Sequence, residues 1–211
     1  MTIIAKPFDW TEGDPARIEA ILDRFVATPS FVAYPCPEET RRDLGAQLLT
    51  APDHLVYEAW QDGQSVGVLL LDRIVPKVDA RFHFLFLDRN LVGKRRLLTN
   101  FLGFCFLDLG FQRISMEVPE GHGIEKFIRR TLGFRYEGEA RKRHRDLHDN
   151  LSQRWIAAQG SRREAAHFDG IAWHDIMLLR LLASEWEARY GAASETLPEP
   201  EALDPSQPTS G

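Results

Sequence analysis

The stretch of residues 82–134 constrains the fold more than any other part of the chain. It has an uninterrupted apolar run at 82–87, a segment with apolar residues at helical spacing, and strict alternation at 113–118. A short helical segment with a basic outer face follows at 124–132. A run that is apolar on both faces is typical of a central strand. Because a strand, a crossover helix and a second strand form a right-handed unit in one sheet, the pattern predicts an α/β fold.

The helix inside this stretch is identified by its apolar face. Its apolar residues recur at the spacing of one helix face: Leu97, Leu98, Phe101, Leu102 and Cys105. Gly110 is predicted to end this helix, and Gly133 the shorter one. The position of Cys105 predicts a buried thiol. The chain has only 2 cysteines, so neither a disulfide framework nor a metal site is predicted.

The flanking segments supply the rest of a sheet and its covering helices. Asp14 followed by Pro15 predicts the start of a helix that runs to residue 27. Asp62 and Gly63 predict a tight hairpin. Strands are predicted at 2–5, 54–60, 65–75, 135–145 and 173–182, with further helices at 38–49 and 184–190.

Residues 1–190 are therefore predicted to form a single domain with an insertion at 146–172. The insertion does not have the pattern of a sheet, and short helices are predicted at 151–159 and 161–167. It carries Trp155, Ile156 and Phe168, which favours folding over a groove or docking on another protein. Residues 191–211 are acidic and rich in proline, which predicts a tail that is disordered or bound to a protein partner.

Composition narrows the possible functions. The formal charge of the 211-residue chain is −5, which does not favour nucleic acid as a partner. The first residues lack the pattern of a signal peptide, and no apolar run is long enough to cross a bilayer. A cytoplasmic protein without a membrane partner is the expectation.

Four segments resemble the GNAT superfamily of acyl-CoA-dependent N-acyltransferases. They are YEAWQDGQSVGVLLL, FLFLDRNLVGKRRLL, ISMEVPEGHGIEKFIRRTLGFRYEG and DIMLLRLLASEW, within residues 56–186. The resemblance implies a mixed, twisted central sheet flanked by helices, with the insertion before the last strand. The sequence is also similar in style to GNAT-like proteins of tailed phages, which would place it in a virion.

The resemblance also implies acetyl-CoA as the cofactor, with its pyrophosphate held by backbone amides where the central helix begins. The matching positions are Leu91, Val92, Gly93, Lys94, Arg95 and Arg96. The sequence departs from the family pattern here: Val92 stands in place of an Arg or Gln, and Arg95 and Leu97 in place of small residues. Three basic residues in a first helical turn oppose the helix dipole, and a bound phosphate would reverse this unfavourable interaction. The alternative to phosphate binding is that these basic side chains bend away from the helix and are solvated.

For catalysis, the resemblance implies a base on the central strands, and the candidates are Glu117 and Asp88. His83 and His122 are secondary candidates. Each has a structural alternative: Asp88 as a loop cap, Glu117 as a partner of Arg113, and His83 as a satisfied core histidine. Arg129 occupies the position where the family commonly has an acidic tyrosine.

The predicted function is transfer of an acetyl group from acetyl-CoA to a primary amine. The first alternative is a catalytically degenerate GNAT fold with a structural or interaction role, for example in a phage virion. The second alternative is binding of nucleic acid through residues 94–96 and the basic run 141–145.

Overall fold

A computed structural model describes residues 3–11, 14–28, 38–88, 90–119, 123–146, 166–168 and 171–191. The strands are β1 (Ile3–Pro7), β2 (Leu55–Gln61), β3 (Gln64–Val75), β4 (Asp79–Phe86), β5 (Arg113–Pro119), β6 (Arg135–Asp146), β7 (Ala166–Phe168) and β8 (Ile171–Leu182). They form one sheet in the order β1-β2-β3-β4-β5-β8-β6, and β7 pairs with β8. The β4–β5 pair is parallel and the others are antiparallel, so the sheet is mixed, as predicted.

The helices lie in the predicted segments. They are α1 (Pro15–Val26), α2 (Glu38–Thr50), α3 (Lys94–Leu107), α4 (Glu125–Phe127, continued by a π-helical turn at Ile128–Leu132) and α5 (Ala183–Trp186, continued by a second π-helical turn at Glu187–Gly191). The Asp14 carboxylate caps α1 by accepting the Ala16 amide at 2.9 Å. Gly133 ends the α4 turn in the left-handed conformation, with φ of 87°. The sequence predicted both the start of α1 at Asp14 and the end of the α4 turn at Gly133.

The alternation of side chains along the strands creates two cores, one on each face of the sheet. On one face, Leu69, Leu71 and Phe82 pack with the apolar side of α3. This cluster also contains Ile128 of α4 and Trp186 of α5. On the other face, side chains of β3 and β4 pack against α1 and α2; the buried members are Ile18, Ile21, Leu22, Phe25, Leu49, Val68 and Leu85. The sheet is therefore flanked by helices on both faces.

The two central strands separate part-way along their length. β4 and β5 pair only through Asp79↔Arg113, Ala80↔Ile114 and Arg81↔Ser115. Past the last pair, β4 continues against β3 and β5 continues against β8. The two strands are therefore unpaired with each other from this point to their carboxyl ends, which leaves an opening between them.

Residues 146–172 were predicted to contain no strand, and this prediction is wrong at the carboxyl end of the segment. Residues 166–168 form β7, and β8 already begins at Ile171, so β7 and β8 form a hairpin. Residues 166 and 167, predicted as helix, are strand because they pair with the first residues of β8. The rest of the predicted helices at 151–159 and 161–167 lies outside the described residues, as do the tail after residue 191 and the protein contacts predicted for both segments.

Candidate active site

Polar side chains lie where β4 and β5 separate, on the face of the sheet that carries α1 and α2. Arg81 and Ser115 form the last backbone pair of the two strands. Because successive side chains alternate between faces, His83 and Glu117 each lie two residues further along, on the same face as Arg81. His83 and Glu117 therefore stand on opposite sides of the opening, at matching positions.

A network of ion pairs joins three strands at this point. Arg81 binds Asp72 of β3 through two hydrogen bonds, one of them from Nε to Oδ1 at 2.8 Å. Arg81 Nη1 also donates to Glu117 Oε2 at 3.0 Å. The other carboxylate oxygen of Glu117 accepts from Arg73 Nη1 at 3.2 Å. His83 Nε2 lies 3.1 Å from Asp72 Oδ1.

Asp72 is the most buried member of this network, with 4% of its surface exposed. Burial by itself would raise the pKa of Asp72. Hydrogen bonds from Arg81 and His83, together with the positive charge of Arg81 and that of His83 when it is protonated, outweigh burial and hold the pKa of Asp72 well below its ordinary value. Asp72 is therefore a carboxylate that accepts hydrogen bonds and does not donate them.

The interpretation of Glu117 as a partner of Arg113 is wrong. Arg113 lies four residues before Glu117 on β5 and pairs with Glu137 of β6 at 2.5 Å, and more distantly with Asp79 at 3.8 Å. Glu117 instead turns toward β3 and β4, because Arg81 and Arg73 lie there.

The start of α3 lies at the same edge of the sheet. Gly93 precedes the helix in the left-handed conformation, with φ of 89°, and its carbonyl accepts the first helical hydrogen bond from the Leu97 amide at 3.1 Å. The amides of Arg95 and Arg96 precede that bond and belong to the first turn, where an anion can be bound. Leu91 and Leu97 are buried in the core, whereas Val92 is 74% exposed. Leu97 therefore belongs to the packing of α3.

Gly93 approaches the outer strands at this edge. A side chain at Gly93 would meet Ile3 Cδ1 of β1 at 3.3 Å. Ile3 pairs with Gln61 at the β2–β3 turn, the end of the sheet at which β4 also finishes. The helix start and the strand opening therefore share one edge, with the helix start lying toward β1.

Several solved structures share this architecture. An acetyltransferase of the GNAT family from Bacillus anthracis matches with a TM-score of 0.56 and 14% identity, over 87% of this chain and 96% of that one. A point mutant of the spermidine N-acetyltransferase SpeG from Vibrio cholerae matches with a TM-score of 0.59 and 12% identity, over 89% and 97%. The chain has the GNAT fold.

The predicted GNAT resemblance is thus confirmed at the level of fold, and the matches span nearly the whole of each neighbour. No model of a known protein family matches the sequence, and no curated protein matches it. The comparisons give no support to a phage origin or a virion role.

Asp88 lies outside the network. Asp88 follows β4 and is exposed. Its Oδ1 accepts the Asn90 amide at 2.8 Å, so Asp88 caps the loop that leads to α3. Arg129 stands where the GNAT superfamily commonly has a tyrosine. It forms an ion pair with Glu125, one helical turn earlier, at 2.8 Å. His122 lies outside the described residues, and the basic run 141–145 is described only as part of strand β6.

The sequence pattern did not identify three residues of the network, which are Asp72, Arg81 and Arg73. One signal was available: Asp72 ends an apolar run in β3, and Arg81 and His83 alternate with phenylalanines in β4. Polar residues at alternate positions of a central strand indicate a polar patch on one face. Finding that β3 and β4 bring these residues together requires the register of the hairpin, which the sequence pattern does not supply.

Within the described part of the chain, no group of three or more His, Cys, Asp and Glu side chains is arranged to hold a metal ion. Among the same residues, no helix has the length and apolar character needed to cross a membrane.

Proposed function

We propose that this protein transfers an acetyl group from acetyl-CoA to a primary amine. The observation that carries the proposal is the separation of β4 and β5 after Arg81 and Ser115, with polar side chains on both sides of the opening. An extended acyl chain can enter between two such strands and bring its thioester to the polar face. The neighbours with this fold are acetyltransferases by description, which supports the same reaction class.

The acyl-CoA pyrophosphate is proposed to bind at residues 91–96. Gly93 gives the backbone a left-handed turn there, and the amides of Arg95 and Arg96 follow it in the first turn of α3. The positive end of the helix dipole and exposed basic side chains both favour a phosphate at this position.

On the acceptor side, Glu117 is proposed as the carboxylate that contacts the amine. It lies on β5 beside the opening, and its side chain is 18% exposed. Asp88 is the second proposed candidate, ranked below Glu117 because its Oδ1 already accepts the Asn90 amide. Glu117 accepts hydrogen bonds from two arginines, so the amine must share its oxygens with them.

Thermal unfolding with acetyl-CoA tests the cofactor proposal. A ligand that binds only the folded state at a hundredfold excess over its Kd raises the unfolding free energy by about 2.7 kcal/mol. We expect acetyl-CoA to raise Tm and AMP at the same concentration to raise it much less. Equal shifts, or no shift with acetyl-CoA at millimolar concentration, would remove the cofactor from the proposal.

Release of free CoA thiol with a set of primary amines tests the transfer itself. Spermidine belongs in this set because a neighbour with the same fold is a spermidine N-acetyltransferase. Lysine, a peptide amino terminus and tryptamine extend it to other classes of amine. Mass spectrometry of the acceptor should show the addition of one acetyl group.

A GNAT fold that has lost catalysis and serves as an interaction protein is the second candidate function. The observation that favours it is Arg129: a guanidinium paired with Glu125 cannot supply a proton to a leaving thiolate. This function predicts that acetyl-CoA leaves Tm unchanged and that the protein migrates in a larger assembly.

A further inference from the structure

We propose that His83 takes the proton from the acceptor amine, and that Asp72 is the positioning residue that prepares it. This inference rests on the proposed acetyl transfer and goes beyond it by assigning the base to a histidine on β4. It follows from three features of the network: a fixed tautomer, a carboxylate that is itself held in place, and the position of His83 beside the opening.

The first feature is the tautomer of His83. Its Nε2 lies 3.1 Å from Asp72 Oδ1, and Asp72 is an ionised carboxylate that can only accept. Nε2 must therefore carry a hydrogen and donate it. In the neutral imidazole the lone pair then lies on Nδ1, and this is the atom that can take a proton.

The second feature is the way Asp72 is held. Arg81 binds both of its oxygens, and Asp72 is almost completely buried. A carboxylate held in this way fixes the orientation of the imidazole and stabilises the imidazolium that forms when Nδ1 is protonated. Because the network contains Asp72, Arg81, Glu117 and Arg73, its fixed charges sum to zero before His83 is protonated.

The third feature is position. His83 lies two residues past the last β4–β5 pair and faces Glu117 across the opening, and 24% of its side chain is exposed. Among the described residues, the charged groups of the network around His83 are Asp72 and Arg73 from β3, Arg81 from β4 and Glu117 from β5. From α1, Arg24 reaches the strand end by donating to the Phe86 carbonyl at 3.0 Å.

In the proposed step, the amine nitrogen forms a bond to the acetyl carbon of acetyl-CoA. One N–H proton moves to Nδ1 of His83 as this bond forms. The carbon–sulfur bond then breaks, and CoA leaves as a thiolate that takes a proton from water. His83 returns its proton to solvent, so an amide and free CoA are the only products.

Kinetics of His83→Gln test the assignment. We expect kcat to fall by about 10²–10⁴-fold, the usual contribution of a general base, with the acetyl-CoA thermal shift unchanged. The dependence of kcat/KM on pH should also differ between this variant and the wild type. Asp72→Asn should lower kcat in the same direction, and Asp72→Glu should restore part of it. An His83→Gln enzyme with the wild-type kcat and pH profile would overturn the inference.

The tautomer can be measured without any acceptor. Long-range ¹H–¹⁵N correlation spectra of the full chain report which ring nitrogen carries the hydrogen, and His83→Gln identifies its signals among the 7 histidines. We expect the Nε2–H tautomer in the wild type and its loss in Asp72→Asn. A wild-type Nδ1–H tautomer would overturn the inference even if acetyl transfer is confirmed. Absence of any acetyl-CoA shift would instead overturn the proposed function, and with it the role of His83.

Discussion

The Arg81 guanidinium donates to the Glu117 carboxylate at 3.0 Å, across the point where their two strands separate. Backbone pairing between β4 and β5 stops at Arg81 itself, so this side-chain contact joins the strands just beyond the last hydrogen-bonded pair. Arg81 also binds the buried Asp72. One side chain thus neutralises a buried carboxylate and bridges the two sides of the candidate site.

Replacing Arg81 by leucine should destabilise the protein strongly. Asp72 would be left as a buried charge without its guanidinium partner, and breaking a buried pair in this way costs about 3–5 kcal/mol. Arg73→Leu is the matched control on the same network, because the Arg73 side chain is 56% exposed and its pair with Glu117 should be worth at most about 1 kcal/mol. Urea unfolding measures the loss of unfolding free energy in both variants. Equal losses would contradict the importance of burial at Asp72.

The network also predicts a loss of stability in acid. The pKa of Asp72 is lower in the folded protein than in the unfolded chain, so the unfolded state binds the proton more tightly. The stabilisation from this group is complete above the unfolded value of about 3.9 and is lost as the pH falls toward the folded value. Unfolding free energies measured from pH 6 down to pH 3 should show this decline.

Two variants separate the contribution of Asp72 from that of other carboxylates. Asp72→Asn should flatten the decline between pH 4 and pH 3, although the variant is less stable at neutral pH. Glu185 also has a lowered pKa: burial opposes the shift, and bonds from Arg180 and the Leu182 amide outweigh it. Glu185→Gln therefore measures how much of the decline in unfolding free energy comes from Glu185. A decline unchanged in Asp72→Asn would show that Asp72 does not cause it.

Reversing the charge of Arg95 should weaken binding of CoA. A charge-assisted hydrogen bond is worth about 1.5–3 kcal/mol, so Arg95→Glu should raise Kd by tenfold or more if the pyrophosphate binds at this helix start. Lys77→Glu makes the same change of charge at the β3–β4 turn, at the opposite end of β4, and should leave Kd nearly unchanged. Isothermal titration with CoA measures both. An unaltered Kd in Arg95→Glu would place the pyrophosphate elsewhere.

Gly103 should not tolerate a side chain, because α3 packs closely against α5 there. A methyl group at Gly103 would lie 2.8 Å from Cζ2 of the Trp186 indole. Overpacking of this kind costs about 1–3 kcal/mol, more than the gain from the better helix propensity of alanine. Gly138→Ala is the control, since an added carbon meets no atom within 4 Å there. Thermal unfolding should show a lower Tm for Gly103→Ala alone, with partial recovery on adding Trp186→Phe.

Cys105 should resist alkylation as long as the protein is folded. The thiol is buried on the inner face of α3, and burial raises the pKa of Cys105 to about 12. Almost no thiolate exists at pH 8, and the thiolate is the reactive form. Peptide mapping after iodoacetamide treatment should find Cys105 modified only in denaturant. Rapid modification of the native protein would show that α3 opens readily.

The fold could be predicted to a large extent because its central elements have strong periodicity. The spacing of Leu98, Leu102 and Cys105 predicted α3, and the alternation around Met116 predicted β5. β7 and the start of β8 were missed because strand formation at Ile171 depends on pairing with distant β6 and on the short hairpin with β7. The strand propensity of neighbouring residues in the sequence carries no information about such distant pairing partners.

The candidate site could be predicted only in part, for a related reason. Glu117 and His83 were identified as titratable residues on central strands, but Asp72 was not. The sequence separates Asp72 from His83 by a hairpin whose register shifts between Asp72 and Val75. The contact between Asp72 and His83 depends on the pairing that this irregular turn sets, so residue types and spacings alone did not reveal it.

The position of β8 has a consequence for the order in which the sheet can be completed. β8 lies between β5 and β6, yet of the described strands it is the last to leave the ribosome. Until residues 171–182 have been synthesised, β5 has an open edge and β6 lacks β8, its pairing partner among the described strands. An unpaired edge is a template for association with other chains, so nascent molecules that stall before residue 171 should be more prone to aggregate than finished ones.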